Sequence, residues 1–327
     1  MKVRFWGTRG SIPVSITAKD VRAKIGAALR VARDRAATGE FPGNDVEIER
    51  FIDDLGFSVS GTYGGHSSCV EIETGNEDAA NEHLLCDMGS GVRAYGQRMM
   101  ERYGPTRPQT YHVFMSHVHW DHIMGFPFFT PVYIPGNRIV IHGCHAELEF
   151  AFKRQQAAPS FPVDFSLLAS NIEFDVIAPG ETRSVAGITV RNLKQHHSGD
   201  SYGWRFERAG KSVVYSTDSE HRLENAEETQ LFVDFFHNAD LVIFDAMYSL
   251  ADAVSVKADW GHSSNIFGVE LCQMAGARRL CMFHHEPAYD DSRIDSVLAE
   301  TRRFEEITRE ASALEVLSAW DGLEIVL

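Results

Sequence analysis

The sequence has few cysteines, little positive charge and no long apolar run. Its 327 residues include five cysteines, none in a CxxC pair, which argues against a disulfide framework and a thiolate zinc site. A net charge of -15 argues against an extended basic face for nucleic acid. No run is long enough to span a bilayer, and the first residues follow a strand pattern rather than that of a signal peptide. We therefore expect a soluble, cytoplasmic protein without a membrane partner.

Histidine and aspartate are concentrated in one stretch of the chain. His117, His119, Asp121 and His122 follow the apolar run 113–115, so a buried strand should deliver them onto a loop and a helix start. Strand alternation would point His117 and His119 the same way, so that both bind one ion. Asp121 and His122 come after the turn and can reach a second ion. These ligands suit Zn²⁺, and also Mn²⁺ or Fe. A surface histidine cluster without an ion is the less favoured interpretation.

The pattern His-x-His-x-Asp-His resembles the signature of the metallo-β-lactamase fold hydrolases, especially their phosphodiesterase and tRNA 3′-processing endonuclease branch. The resemblance covers nearly the whole chain. It implies an α/β fold, a four-layer αββα sandwich, in one domain over residues 1–327. It also implies a dinuclear site for two divalent metal ions, with Zn²⁺ favoured over Mn²⁺ or Fe.

The same resemblance assigns the remaining ligands. His196 would complete the first ion's set, with His197 as its rival, while His284 would complete the second and Asp218 would bridge the two ions. Asp87 would accept an N–H from a ligand histidine, and the alternative for it is a helix N-cap. The full metal set implied by the resemblance is His117, His119, Asp121, His122, His196, Asp218 and His284.

Two further residues carry the expected chemistry. In the resembling branch a carboxylate orients a histidine near the leaving group, which implies that Asp245 orients His262. His262 would then bind a phosphoryl oxygen or protonate the departing alkoxide. The alternative is a helix-capping imidazole with no chemical part. Together with the ligand Asp121, these two residues form the predicted catalytic set.

Residues 17–57 are predicted to form an inserted helical hairpin. Val21, Ile25 and Leu29 recur at helical spacing in a basic helix over 17–38, and an acidic second helix ends near Gly56. Two interpretations stay open for this segment. One is a packed hairpin with complementary charges, and the other is an interface for a second subunit or an anionic partner.

Three polar positions have open roles. The glycine loop 7–11 either forms a tight turn or brings Arg9 and Ser11 to the substrate, as the resemblance implies. His66 stands where many relatives carry Asn, and it is either an extra polar group at the site or a packed imidazole. His221 has no assignment.

These features predict a metal-dependent phosphodiesterase that acts on a small phosphodiester such as a cyclic nucleotide. A tRNA 3′-processing endoribonuclease is the second interpretation, because the protruding glycine- and proline-rich arm of that branch is missing. A lactonase or thioesterase is the third, and a catalytically silent metal-binding sensor is the alternative from another class. Nucleic acid is a less favoured partner, and homodimerisation is left open.

Overall fold

The computed structural model describes residues 1–221, 225–249 and 261–327, and within them the strands form two seven-stranded sheets. In spatial order the first sheet consists of β14 (Glu324–Val326), β1 (Lys2–Gly7), β2 (Cys69–Glu73), β3 (Glu82–Cys86), β4 (Thr110–Phe114), β5 (Arg138–Gly143) and β6 (Asn171–Val176). The second consists of β13 (Glu315–Ser318), β12 (Arg279–Phe283), β11 (Leu241–Asp245), β10 (Lys211–Ser216), β9 (Ser201–Arg208), β8 (Ile188–Gln195) and β7 (Thr182–Val185).

The α-helices of the described residues are α1 (Ala18–Ala37), α2 (Asp45–Asp53), α3 (Phe57–Ser60), α4 (Val92–Tyr103), α5 (Trp120–Ile123), α6 (Leu148–Gln155), α7 (Ala226–Phe236), α8 (Asn265–Met274) and α9 (Asp291–Thr308). In this part of the chain, no helix combines the length and the apolar character needed to cross a membrane.

Parallel pairing is confined to one side of each sheet. Strands β3 to β6 run parallel to one another, as do β10 to β13. In a parallel set all carboxyl ends lie at one edge, so residues that follow these strands come together there. Most of the functional side chains described below follow β3, β4, β10, β11 and β12.

Three apolar clusters separate four layers. Phe5 and Phe114 of the first sheet meet Trp204, Tyr215 and Phe283 of the second in a core between the sheets. The alternation of strand side chains sends their neighbours outward, where helices cover them.

Helices cover the outer face of each sheet. Tyr95 of α4 packs with Val113 and Ile141 outside the first sheet. Phe235 of α7 belongs to the cluster that covers Val214 outside the second sheet, and α8 and α9 extend that cluster. The predicted four-layer αββα sandwich is confirmed.

The inserted hairpin is also present. Thr17 caps α1 in a capping box with Asp20, and Thr38 ends the helix, as predicted to within one residue. No residue of α1 is buried. Lys24 fixes the helix to the body of the protein, because its ammonium lies 2.6 Å from the Asp291 carboxylate and donates to the Gly61 carbonyl.

Candidate metal centre

The candidate site lies where the carboxyl ends of parallel strands from both sheets meet. Asp87 follows β3, His117 follows β4, Asp218 follows β10, Asp245 ends β11 and His284 follows β12. Asp87, Asp218 and His284 have φ angles of 58°, 50° and 60°. This left-handed conformation is uncommon outside glycine and concentrates at functional sites, where the surrounding structure imposes it.

One group of ligand atoms joins Asp121, His122, His284 and Asp218. The Nε2 atom of His122 lies 3.2 Å from Asp121 Oδ2 and 3.2 Å from Asp218 Oδ1. The Nε2 atom of His284 lies 3.5 Å and 3.2 Å from the same two oxygens. Two imidazoles and two carboxylates therefore surround one point.

A second group joins His117, His119 and His197 on the other side of Asp218. The Nε2 atoms of His117 and His197 each lie 3.7 Å from Asp218 Oδ2, and His197 Nε2 lies 3.1 Å from His119 Nδ1. Asp218 thus presents Oδ1 to one group and Oδ2 to the other, which is the position of a bridging carboxylate. We call these seven side chains the cage.

The cage contains polar atoms whose partners are missing from the protein. Within the described residues, the Nε2 atoms of His117, His122 and His284 and Oδ2 of Asp121 are buried without a hydrogen-bond partner. Burying such atoms unpaired is costly, and native proteins rarely leave several of them together. Imidazole nitrogens and carboxylate oxygens converging in this way fit divalent metal ions.

The electrostatics of the imidazoles agree with this fit. Burial lowers the pKa of His117, His119 and His197, which keeps their rings in the neutral form that binds metal. Burial also opposes a charge on His122, yet Asp218, Asp121 and Asp87 outweigh it and raise its pKa. A cation in the cage would offset the negative charge around His122.

Asp87 orients one ligand from behind. Its Oδ2 accepts from Nδ1 of His122 at 2.7 Å and from the Tyr215 hydroxyl at 2.7 Å. The amide and hydroxyl of Ser116 also donate to this carboxylate, each at 2.7 Å. The hydrogen bond from a histidine that the resemblance implied for Asp87 is present, and it directs Nε2 of His122 into the cage.

The expected ligand His196 lies outside the cage and is corrected to its neighbour His197. The ladder between β8 and β9 ends at the pair Gln195 and Ser201, so strand alternation no longer sets side-chain direction at the next residue. The His196 ring is exposed and lies 2.7 Å from Glu228 of α7. The Nδ1 atom of His197 instead contacts the Gly261 carbonyl at 2.8 Å, which turns Nε2 toward His119.

Glycine is required at position 261. A Cβ atom there would stand 2.5 Å from Nδ1 of His197, and the residue has a φ of 79°. The backbone of Gly261 therefore approaches a ligand ring more closely than any other residue would allow.

Asp245 and His262 form a pair at the edge of the cage. Nδ1 of His262 lies 2.8 Å from Asp245 Oδ2, and ligand atoms of His262, His197 and Asp218 lie within 4.8 Å of one another. Burial opposes the charged ring, but Asp245 outweighs it and raises the pKa of His262 to about 9. Asp245 is fully buried and accepts from the backbone amides of Ser219 and Met247 at 3.2 and 3.1 Å.

The glycine loop supports the cage through packing. A Cβ on Gly10 would stand 2.6 Å from the His284 ring. Arg9 is buried and donates to the carbonyls of Gly64, Glu286 and Tyr289, so it fastens the chain after His284 instead of facing a substrate. Ser11 is exposed.

The two unassigned histidines have packing contacts. The ring of His66 lies 3.2 Å from the Ser90 hydroxyl. The ring of His221 is buried between Phe232 and Phe244, and burial lowers its pKa to about 3. Neither ring belongs to the groups of converging ligand atoms found among the described residues.

Sequence reasoning missed two supports of the cage. Tyr215 and Gly261 contact Asp87 and His197, respectively, from distant parts of the chain. Tyr215 occupies an apolar strand pattern, and only its hydroxyl distinguishes it from a core residue. No local signal ties either residue to the cage.

The chain is similar in sequence to known proteins. A family model described as "Beta-lactamase superfamily domain" matches residues 83–285. The ribonuclease Z of Natronomonas pharaonis is 27% identical over 285 residues, which cover 71% of this chain and 88% of that protein.

Solved structures share the architecture. The metallo-beta-lactamase fold protein YhfI from Bacillus subtilis has a TM-score of 0.61 at 18% identity, covering 99% of this chain and 98% of that chain. A diphosphatase from the PhnP family has a TM-score of 0.59 at 16% identity, covering 100% and 97%. The chain therefore belongs to the beta-lactamase superfamily, as a hydrolase of the metallo-β-lactamase fold with a histidine and aspartate site for divalent metal ions.

Proposed function

We propose that this hydrolase is a phosphodiesterase that acts on a small phosphodiester, such as a cyclic nucleotide. The cage would hold two divalent ions, with Zn²⁺ favoured and Mn²⁺ or Fe as alternatives. The observation that carries the proposal is the pair formed by Asp245 and His262 at the edge of the cage. Cleavage of a phosphodiester releases an alkoxide, and an imidazole held at the edge of the cage can protonate that leaving group.

The ions would supply positive charge that stabilises the phosphoryl oxygens, and they would lower the pKa of a bound water toward neutral pH. His117, His119 and His197 would hold one ion, and Asp121, His122 and His284 the other, with Asp218 shared. Asp87 holds the His122 ring in the orientation that binding requires. No protein nucleophile is needed.

His262 would act on the substrate through its Nε2 atom. Oδ2 of Asp245 accepts a hydrogen bond from Nδ1–H of His262, which fixes the orientation of the ring. The His262 ring stacks on His284, with centroids 5.1 Å apart, and also lies 5.1 Å from His197. Nε2 of His262 would therefore bind a phosphoryl oxygen or give a proton to the departing alkoxide.

Changing the leaving group tests this role. His262→Ala should slow cleavage of a 2′,3′-cyclic nucleotide by roughly 10²- to 10⁴-fold, because its alkoxide needs a proton. Bis(p-nitrophenyl) phosphate should lose much less, since p-nitrophenolate leaves without one. Metal content should stay at the wild-type level. His66→Ala removes another imidazole, one outside the cage, and should leave both rates near wild type. Equal rates for wild type and His262→Ala on the cyclic nucleotide would contradict the proposal.

A tRNA 3′-processing endoribonuclease is the second candidate. The 27% identity to the ribonuclease Z of Natronomonas pharaonis and the basic face of α1 favour it. The net charge of -15 opposes it. Cleavage of a tRNA precursor beside cyclic nucleotides, a lactone and a thioester separates the candidates. Faster turnover of the precursor than of every small phosphodiester would replace the first candidate with the second.

We also propose that residues 1–327 work as one domain in the cytoplasm. The core between the two sheets draws residues from both ends of the chain, including Val3 and Ile325. All five cysteines are free, which agrees with a reducing compartment.

A further inference from the structure

The hairpin formed by α1 and α2 leaves large apolar side chains in solvent. Ile25 and Leu29 of α1 are 56% and 63% exposed. The other exposed large apolar residues of this segment are Val21, Val31, Phe41, Val46, Ile48 and Ile52. Helices in proteins draw most of their stability from packing an apolar face. A 20-residue helix without one buried residue therefore indicates a face that another surface covers.

Val21, Ile25 and Leu29 of α1 lie on one stripe beside the side of the helix that faces the body of the protein. Val21, Ile25 and Leu29 are four residues apart, so they lie one above another along the helix. Lys24 marks the side that faces the body, where it contacts Asp291. At 100° per residue the stripe lies about a quarter turn around the helix from Lys24.

Several charges of the two helices are unpaired, and they are opposite in sign on α1 and α2. Within the described residues, three cations of α1 have neither an ion pair nor a hydrogen bond from their side chains: Lys19, Arg22 and Arg30. Three carboxylates of α2 are in the same situation: Asp45, Glu49 and Asp53. The hairpin's own helices meet through one ion pair, between Arg35 and Asp54 at 3.1 Å.

We propose that this hairpin is the interface of a symmetric homodimer. A twofold axis brings the same patch of both subunits together, so the patch must complement itself. The hairpin does so, because the basic helix α1 of each copy can lie on the acidic helix α2 of the other copy. The twofold axis makes these two contacts equivalent. A nucleic acid or an anionic membrane would meet the carboxylates of α2, whereas a second copy matches both helices and covers the apolar stripe.

The first test measures the mass of the full-length protein by sedimentation equilibrium. Wild type should be a dimer at micromolar concentration, and the double variant Ile25→Asp/Leu29→Asp should be a monomer. Leu231→Asp is the matched control, because Leu231 is 57% exposed on α7, outside the hairpin. It should remain a dimer. A monomeric wild type, or a double variant that still dimerises, would overturn the proposal. Circular dichroism and the thermal unfolding midpoint check that each variant is folded.

The second test exchanges the charges. Lys19→Glu/Arg22→Glu/Arg30→Glu makes both helices acidic, and Asp45→Lys/Glu49→Lys/Asp53→Lys makes both basic. Each variant should dimerise at least 10-fold more weakly than wild type, because like charges then face each other. A one-to-one mixture should form a heterodimer near the wild-type affinity. A mixture that stays monomeric would refute the pairing, as would wild type that remains a monomer yet binds RNA or anionic vesicles. Neither test depends on which substrate the cage cleaves.

Discussion

The cage and the hairpin are stabilised in opposite ways. Within the cage, His122 and His284 are fully buried, and a neighbouring carboxylate directs the His122 ring. The side chains of the cage follow four strands, β4 of the first sheet and β8, β10 and β12 of the second. The hairpin has its own caps, one anchor at Lys24 and little buried surface. Polar groups that must bind an ion are therefore fixed by distant parts of the chain, whereas the hairpin is fixed mainly by its own local sequence.

The largest effect should come from the shared carboxylate. Asp218→Asn removes the charge that both halves of the cage use, so the variant should lose bound metal and more than 100-fold of its activity. That loss exceeds the roughly 10- to 100-fold effect that is typical of residues hydrogen-bonded to a metal ligand. Elemental analysis and hydrolysis rates measure it. Asp200→Asn, at a half-exposed carboxylate paired with Lys194 at 2.9 Å, should change neither quantity. Full metal content in Asp218→Asn would show that the cage does not share this residue.

Neighbouring histidines give the next test. His197→Ala should lower metal content and activity by at least about 10-fold, since its ring faces His119 and Asp218. His196→Ala should leave metal content near wild type, because its ring points to Glu228. The two variants differ by one position and serve as controls for each other. The opposite ranking would restore His196 as the ligand.

Removing the metal should change the local stability of the cage and leave that of the hairpin unchanged. Ions that bind only the folded state stabilise it by about 4 kcal/mol when present at a thousand times their Kd. A chelator should therefore lower the protection of amides next to Asp218 and His284 in hydrogen exchange, while α1 exchanges as before. The Asp218→Asn variant should respond little to the same chelator. Equal loss of protection in both regions would mean that they unfold as one unit.

The smallest effect concerns a buried carboxylate outside both regions. Glu71 accepts from Trp6 Nε1 at 2.9 Å, and burial raises the pKa of Glu71 to about 7. Its folded pKa therefore lies above that of the unfolded chain, near 4.5, so stability should fall as pH rises from about 4.5 to about 7. Glu71→Gln should remove this decline and raise the free energy of unfolding at pH 8 by roughly 1–3 kcal/mol. Denaturant unfolding at pH 5 and pH 8 measures it, and equal gains at both would contradict the assignment.

Local pattern was enough to predict much of this molecule. The helix 17–38 follows from spacing and caps, and the motif from His117 to His122 follows from strand alternation before a turn. The sandwich, Asp218 and His284 came from the resemblance that this motif carries. Those predictions depend on residues close together in sequence or on a family pattern.

The remaining features depend on contacts that sequence order does not encode. His196 was chosen by continuing a strand past its last paired residue, and the structure assigns that place to His197. Gly261 and Tyr215 reach the cage across the fold, so nothing near them in sequence predicts their contacts. The spacing of Val21, Ile25 and Leu29 predicted an apolar face, but which way that face points depends on Lys24 and Asp291.

The arrangement of the ligands on both sheets has a consequence for how the protein folds. The cage needs residues from His117 to His284, so the chain must close a long loop before both halves meet. Such contacts form late, because their loop-closure entropy is compensated only once the two sheets have docked. Metal uptake during refolding would therefore report completion of the native topology, and its rate could be followed beside the earlier gain of helical signal.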